Sequence, residues 1–277
     1  MKVLITGANG QLGQEMQHLL DERGQEYLAE DSQGLDITDK EAVDAYFEKN
    51  KPEVVYHCAA YTAVDKAEGE GKELNWKVNV DGTENIAKAC QKVGATLLYV
   101  STDYVFDGNR TSGEYLPDDP KGPRNEYGKA KLTGEEAVQK YCDKYYIIRT
   151  AWVYGKWGHN FVYTMLNLAK NHDKLTVVDD QVGRPTWTRT LAEFLTYLVD
   201  NKVEYGVYHC CNDGQCSWYE FAKEILKDTD VDVQPVTSDQ YPTAAFRPHY
   251  SVMKLAKETG FVFPDWRKSL DEFMEEI

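Results

Sequence analysis

Short, nearly continuous apolar runs alternate with segments of helical period through the first 150 residues of the 277-residue chain. The runs Lys2–Thr6, Glu26–Glu30, Glu53–Ala59, Thr96–Thr102 and Tyr145–Trp152 are rich in Val, Ile, Leu and Tyr. They predict strands covered on both faces, the setting of a parallel sheet. Between them lie amphipathic stretches: Gln11–Arg23 closed by Gly24, Lys40–Asn50 stopped near Pro52, Leu74–Val93 closed by Gly94, and Asn125–Tyr141. Strand–helix alternation of this kind demands right-handed crossovers, so the fold class expected is α/β, with a doubly wound parallel sheet.

After Trp152 the pattern loosens without becoming a linker. It predicts a helix at His159–Asn171, a strand at Leu175–Asp179, a helix at Arg189–Asn201 and a strand at Gly206–Asn212. Ser217-x-x-Glu220 is a capping box opening a helix over Trp218–Lys227. Pro235, Pro242, Pro248 and Pro264 then punctuate an irregular segment before a last amphipathic helix, Trp266–Ile277. The second half is expected to form a small lid, with some elements returning to the first sheet.

Composition narrows the chemistry. Apolar residues make up 42% and charged residues 28%, the balance of a folded chain with a core of its own. The 31 Lys and Arg against 46 Asp and Glu leave a net charge of −15, which repels polyphosphate backbones and argues against nucleic acid as a partner. No stretch approaches the ~18 apolar residues of a membrane span, and Met1–Ile5 is too short for an export signal before Thr6-Gly7. Six cysteines without paired spacing then read as reduced thiols of a cytoplasmic protein. His209, Cys211 and Cys216 are better explained as small and buried groups than as zinc ligands, and no metal is expected.

Gly7, Gly10 and Gly13, in TGANGQLG between the first strand and first helix, have the spacing of a pyrophosphate-binding turn. Such a turn needs glycine for a tight bend, for close approach of the ligand and for helix–strand packing, with the phosphates on the helix amides. Asp31 ends the second strand 18 residues after Gly13, where a carboxylate binds ribose hydroxyls and leans against a 2′-phosphate. Asp36-Ile37 could bracket an adenine, or Asp36 could simply cap a turn. Ala59-Ala60-Tyr61-Thr62 ends the third strand at the same edge, with room for a cofactor. The sheet is thus expected to be Rossmann-type. Residues 1–150, with returning elements near 186–212, would bind the dinucleotide, while 151–185 and 213–277 would form a smaller α/β substrate-binding domain.

Strand four ends in Ser101-Thr102-Asp103, and Tyr127 and Lys131 follow four apart on one helix face. A nearby ammonium favours phenolate and is expected to lower the tyrosine pKa. Such a tyrosine protonates a carbonyl oxygen as hydride reaches the carbon, with Thr102 bonding the same oxygen.

With the glycine loop, STDYVFDG (101–108), YGKAKLTGE (127–135), RTAWVYG (149–155), DQVGRPT (180–186) and FRPHYS (246–251), the chain resembles the extended short-chain dehydrogenase/reductase family along essentially its whole length. Its discriminating stretches are similar to those of reductases acting on dTDP-linked 4-keto sugars for surface polysaccharide. The resemblance implies NADPH or NADH as cofactor, held by Gly10, Gln11, Leu12, Asp31, Asp36, Ile37, Ala60, Tyr61, Thr62, Tyr127 and Lys131. It implies Tyr127, Lys131 and Thr102 as the catalytic group, Thr102 and Asp103 as carbonyl-side contacts, and Trp152 packed on a deoxysugar. Arg247 is the candidate cation for the substrate diphosphate, since a guanidinium fork suits phosphate. Core packing for Trp152 and a surface ion pair for Arg247 are the competing assignments. Arg184, Thr190 and Tyr250 depart from the family's usual residue types. Some family members dimerise through a metal-linked acidic surface, and a monomer or homodimer is expected here.

Two other functions fit parts of the pattern. An epimerase or dehydratase of the family shares the glycine loop and YxxxK, but the dehydratases carry Thr-Asp-Glu where this chain has Thr102-Asp103-Tyr104. A non-catalytic subunit resembling the regulatory subunit of methionine adenosyltransferase keeps both motifs as well.

Overall fold

A computed structural model describes residues 1–277. The first half runs β1 (Val3–Thr6), α1 (Gln11–Glu22), β2 (Tyr27–Glu30), α2 (Lys40–Asn50), β3 (Val54–His57), α3 (Val64–Ala67), α4 (Lys72–Trp76), α5 (Thr83–Val93), β4 (Thr96–Thr102), α6 (Glu126–Tyr141) and β5 (Tyr145–Thr150). The second half continues with β6 (Val153–Tyr154), α7 (Phe161–Ala169), β7 (Lys174–Val178), β8 (Val182–Gly183), β9 (Thr186–Trp187), α8 (Thr188–Asp200) and β10 (Gly206–His209). It closes with β11 (Cys216–Ser217), α9 (Trp218–Ile225), β12 (Asp232–Val236) and α10 (Trp266–Glu276).

The main sheet has the order β10-β5-β4-β3-β1-β2, and every pair in it is parallel. Strand order reverses between β1 and β3, which opens a crevice at their carboxyl ends where ligands of such sheets bind. Alternate residues of β1 serve the two faces. Val3 and Ile5 join a core built with Met16, Leu19 and Leu20 of α1 and Leu191, Phe194 and Leu195 of α8. Leu4 faces the other way, into Val43 and Phe47 of α2 and Ile86 of α5. Burying each such side chain contributes roughly 1.5–3 kcal/mol, so both faces must be covered for the sheet to persist.

A third core gathers Tyr154, Val162, Trp187, Phe221, Trp266 and Phe273 from the second half. Its membership differs from the expected division in two places. Trp187, expected with the sheet, packs into this third core. Met253, Leu255, Ala256 and Phe263, expected in the second unit, cover the face of the main sheet under α8. The chain therefore crosses back to its first core near the end, because that face has apolar area the first half cannot cover alone.

Three local departures have clear causes. The single helix expected over Leu74–Val93 is interrupted by a π-helical turn at Lys77–Gly82. There Asn79 donates to the Tyr61 carbonyl (3.0 Å) and to Asn75 Oδ1 (2.9 Å), while its own Oδ1 accepts from the Tyr61 amide (3.1 Å). The bulge thus lets one buried asparagine bind a loop backbone. The strand expected to reach Trp152 stops at Thr150, since Trp152 has a left-handed φ of 50° that no strand continues. The missed strand β12 contains Pro235 and pairs only with β7; proline suppresses a strand signal but is tolerated at an edge.

Candidate functional site

The turn after β1 is shaped by glycine. Gly7 has φ +69°, and a Cβ there would stand 2.5 Å from the Ala59 amide nitrogen at the end of β3. A Cβ on Gly13 would stand 2.2 Å from the Gly7 carbonyl oxygen. Gly10 is the N-cap of α1 and offers no side-chain cap, and the first turn carries no acidic residue. The amides of Gln11, Leu12 and Gly13 consequently find no acceptor within the chain. Free amides at a helix start, uncrowded by side chains, form a cradle that fits a pyrophosphate.

The remaining residues expected around this cradle are partly committed elsewhere. Asp31 follows β2 and bonds Asn9 of the glycine-rich turn; its Oδ1 accepts from the Gln33 (2.8 Å) and Gly34 (3.2 Å) amides. Asp36 accepts from the Thr38 amide (2.9 Å) and hydroxyl (2.7 Å), bonds that hold its carboxyl below the usual range. Ile37 is buried against Gly82. Ala60 and Tyr61 are half-buried and Thr62 exposed on the loop that Asn79 secures at the crevice. His57, beneath this loop, bonds Thr6 Oγ1 at 2.7 Å, and burial holds it neutral at a pKa of about 3.

At the far side of β3, the end of β4 meets the start of α6. Asn125 caps α6 through the Gly128 amide (2.7 Å) and donates to the Phe246 carbonyl (3.0 Å), which fixes the turn carrying Tyr127. Thr102 reaches the Tyr127 phenol and donates to Asp103 Oδ1 at 3.0 Å. Asp103 is buried with its Oδ2 unpartnered, and burial pushes its carboxyl up to about 6. Lys131, one turn on from Tyr127, is buried with its ammonium 4.1 Å from the Tyr99 ring centroid. Burial lowers Lys131 to about 7, while the nearby Glu135 pulls it up.

The expected electrostatics of Tyr127 are reversed here. Burial and then the Asp103 charge raise the phenol above its ordinary pKa, and Lys131 is not among the groups that shift it. Spacing of four put the two side chains on one face, but Lys131 lies over Tyr99 and not against the phenol oxygen.

Trp152 is half-buried and stacked on Trp218, ring centroids 3.7 Å apart and planes 13° apart. Arg247 is already paired: its NH2 donates to Asp65 Oδ2 of α3 at 2.7 Å, and its guanidinium lies 5.9 Å from the Tyr104 ring. Its NH1 is buried without a partner, so part of the fork remains uncommitted. The unusual residues have structural partners: Arg184 bonds Glu114 (2.6 Å) and Asp213 (3.1 Å), Thr190 accepts from Asn212 (3.0 Å), and Tyr250 donates to the Gly113 carbonyl (2.6 Å). His209 meets Arg149 at 3.4 Å, and Cys211 and Cys216 are buried in separate cores.

The family model described as the RmlD substrate binding domain matches residues 1–277. The chain belongs to the RmlD substrate-binding family. A dTDP-4-dehydrorhamnose reductase of Streptomyces griseus is 43% identical over 97% of this chain and 91% of its own length. A crystal structure of a dTDP-4-dehydrorhamnose reductase from Clostridium acetobutylicum is 48% identical, with a TM-score of 0.96 over 100% of this chain and 99% of that one. The Bacillus anthracis dTDP-4-dehydrorhamnose reductase, solved in complex with NADP, is 41% identical with a TM-score of 0.95, again over 100% and 99%.

This RmlD-family chain also places residues at the site that the motifs did not single out. Glu135 accepts from Ser101 (2.6 Å) and takes a two-pronged bond from Arg149 (2.8 and 2.6 Å), all buried directly behind Lys131. The signal was present in the helix: Glu135 is four residues beyond Lys131, as Lys131 is beyond Tyr127. Asn79 and Asp65 had no such signal, because their partners come from distant loops.

Proposed function

We propose that this chain reduces the 4-keto group of dTDP-4-dehydro-L-rhamnose to dTDP-L-rhamnose for surface polysaccharide synthesis, with NADPH or NADH as cofactor. The observation that carries this reading is the placement of Thr102 at the end of β4 and Tyr127 at the start of α6 together, one strand away from a side-chain-free cradle of helix amides, with Lys131 buried one turn further along α6. The cradle of Gly7, Gly10, Gln11, Leu12 and Gly13 would hold the pyrophosphate, with Asp31 and the Ala60–Thr62 loop flanking it. When bound, the dinucleotide supplies hydride.

Tyr127 keeps its proton at neutral pH because burial and Asp103 disfavour the phenolate. It therefore acts as an acid that gives up the proton only when the keto oxygen becomes basic. Thr102 orients that oxygen from the β4 end. Lys131, with a pKa of about 7 and its ammonium over the Tyr99 ring, exchanges its proton near neutral pH and is offered to the cofactor rather than to the phenol oxygen. Trp152 offers an apolar face to the deoxysugar, and the free NH1 of Arg247 is the group offered to the diphosphate. Residues 151–185 and 213–277 would carry most substrate contacts.

Tyr104 sits where a dehydratase would need an acid, and it packs edge-on to Tyr127. No helix is long and apolar enough to cross a membrane, and all six cysteines are unpaired. Those thiols support a reducing, cytoplasmic setting, in which the chain would act as a monomer or homodimer. The test is oxidation of NADPH or NADH with enzymatically prepared dTDP-4-dehydro-L-rhamnose. Stoichiometric loss of reduced cofactor with formation of dTDP-L-rhamnose is expected. No net oxidation would point to an epimerase, and binding without turnover to a regulatory subunit.

A further inference from the structure

Trp152 holds a left-handed backbone conformation, φ 50°, that a bulky side chain adopts rarely and only at a cost, so surrounding structure must enforce it. Three contacts do so. Trp218 covers one face of the indole in a near-parallel stack, and Phe161 in turn packs on Trp218 with ring centroids 4.5 Å apart. The indole edge fills the space above Gly183, where a Cβ would lie 2.7 Å from Cε2 and 2.9 Å from Cζ2 of the ring. The Trp152 carbonyl accepts from the Thr186 amide at 3.1 Å.

Gly183 and Trp218 are not independent. In the antiparallel pair of β8 and β11, Cys216 faces Gly183 and Ser217 faces Val182, so the ladder sets the spacing between the glycine and the start of α9. The Ser217–Glu220 capping box then fixes where Trp218 leaves that helix. The β8 backbone also bonds the 249–251 segment, with Val182 donating to the His249 carbonyl and accepting from the Ser251 amide. Within DQVGRPT, Val182, Gly183 and Thr186 thereby frame one side chain.

We propose that Trp218 and Gly183 are positioning residues that clamp the Trp152 indole, so that its uncovered face forms a rigid wall of the sugar subsite. The inference rests on the reading of Trp152 as a sugar contact. Without the clamp the indole is free to turn over Gly183 or to relax to an ordinary backbone conformation, and the subsite loses its shape while the glycine cradle keeps its own.

The experiment compares W152A, W218A, W218F and G183A in the full chain. The readouts are KM and kcat for the keto-sugar nucleotide, the dissociation constant for NADPH, and the far-ultraviolet exciton couplet that a stacked indole pair produces in circular dichroism. W218A and G183A should raise KM by ~10–100-fold, the scale of a roughly 1 Å misplacement, with NADPH affinity within about twofold of the parent. The couplet should vanish in W218A and W218F and shrink in G183A, while W218F, still able to cover the ring, recovers most of the KM loss. The W152A/W218A double variant should be no worse than W152A alone. A W218A enzyme that loses the couplet yet keeps the parent KM overturns the clamp, provided W152A raises KM. If W152A itself leaves KM unchanged, the assignment of Trp152 to the sugar fails and the clamp has no functional meaning. Should W218A not fold, parent-like KM in G183A overturns the proposal in the same way.

Discussion

The turn after β1 and the start of α6 lie on either side of β3, yet they are made of different material. The first is a backbone site: its donors are unpaired helix amides, and its shape comes from the absence of side chains at Gly7 and Gly13. The second is a side-chain site, in which burial moves the pKa of Tyr127, Lys131 and Asp103 away from the ordinary value. A backbone site needs only geometry to be ready for an anion. A side-chain site is ready only because the fold removes water, and it accepts an energetic cost at Asp103 to do so.

The sharpest test of this contrast is Tyr127→Phe. Turnover should fall by ~10²–10⁴, the usual contribution of a general acid, while NADPH affinity and thermal midpoint stay near the parent values. Retained activity in steady-state assays would remove the phenol from the reaction.

Asp103→Asn separates chemistry from stability. An unfolded aspartate titrates near 4, whereas the buried one titrates at about 6, so the native state holds the extra proton between those values. Native stability from this group is full below pH ~4 and is lost as pH rises through about 6. The variant should therefore be more stable than the parent above pH ~7 by about 2–3 kcal/mol, with the gap closing below pH ~4. Denaturant titrations across pH would show it, and a constant gap would mean the carboxyl is not the cause.

On the backbone side, Gly13→Ala forces a methyl into the Gly7 carbonyl. A stability loss of roughly 1–3 kcal/mol is expected, together with weaker NADPH binding by calorimetry. Undiminished affinity would show that the cradle does not take the pyrophosphate. The smallest effect is expected from Arg247→Ala. Because Asp65 already holds one arm of the guanidinium and offsets its charge, losing the contact of the free NH1 should raise KM for the dTDP-sugar by only about 1 kcal/mol, a few-fold, and leave NADPH binding alone. Equal losses for both ligands in kinetic and binding assays would indicate a folding defect.

The same contrast governs what could be read from residues alone. Glycine spacing reports directly on φ and close approach, so the turn after β1 was legible, as were β1 to β5 through their continuous apolar runs. Protonation was not legible: the four-residue spacing of Tyr127 and Lys131 correctly shares a helix face, but the sign of the tyrosine shift depends first on how deeply the fold buries the phenol and then on the Asp103 charge beside it. Two-residue strands such as β8 and β11 carry no periodicity, and the π-helical turn at Asn79 looks like ordinary helix until its loop partner is known.

The apolar face shared by Val3 at one end of the chain and Phe263 near the other has a consequence for biosynthesis. During translation the ribosome delivers β1 to β5 long before Met253–Phe263, and β10, which covers the β5 edge, also emerges late. A nascent chain at that stage presents an open strand edge and an uncovered hydrophobic face together, the pair of features that chaperones recognise and that drives aggregation. Packing of this late segment over the sheet is thus a completion step, one that closes a surface made much earlier.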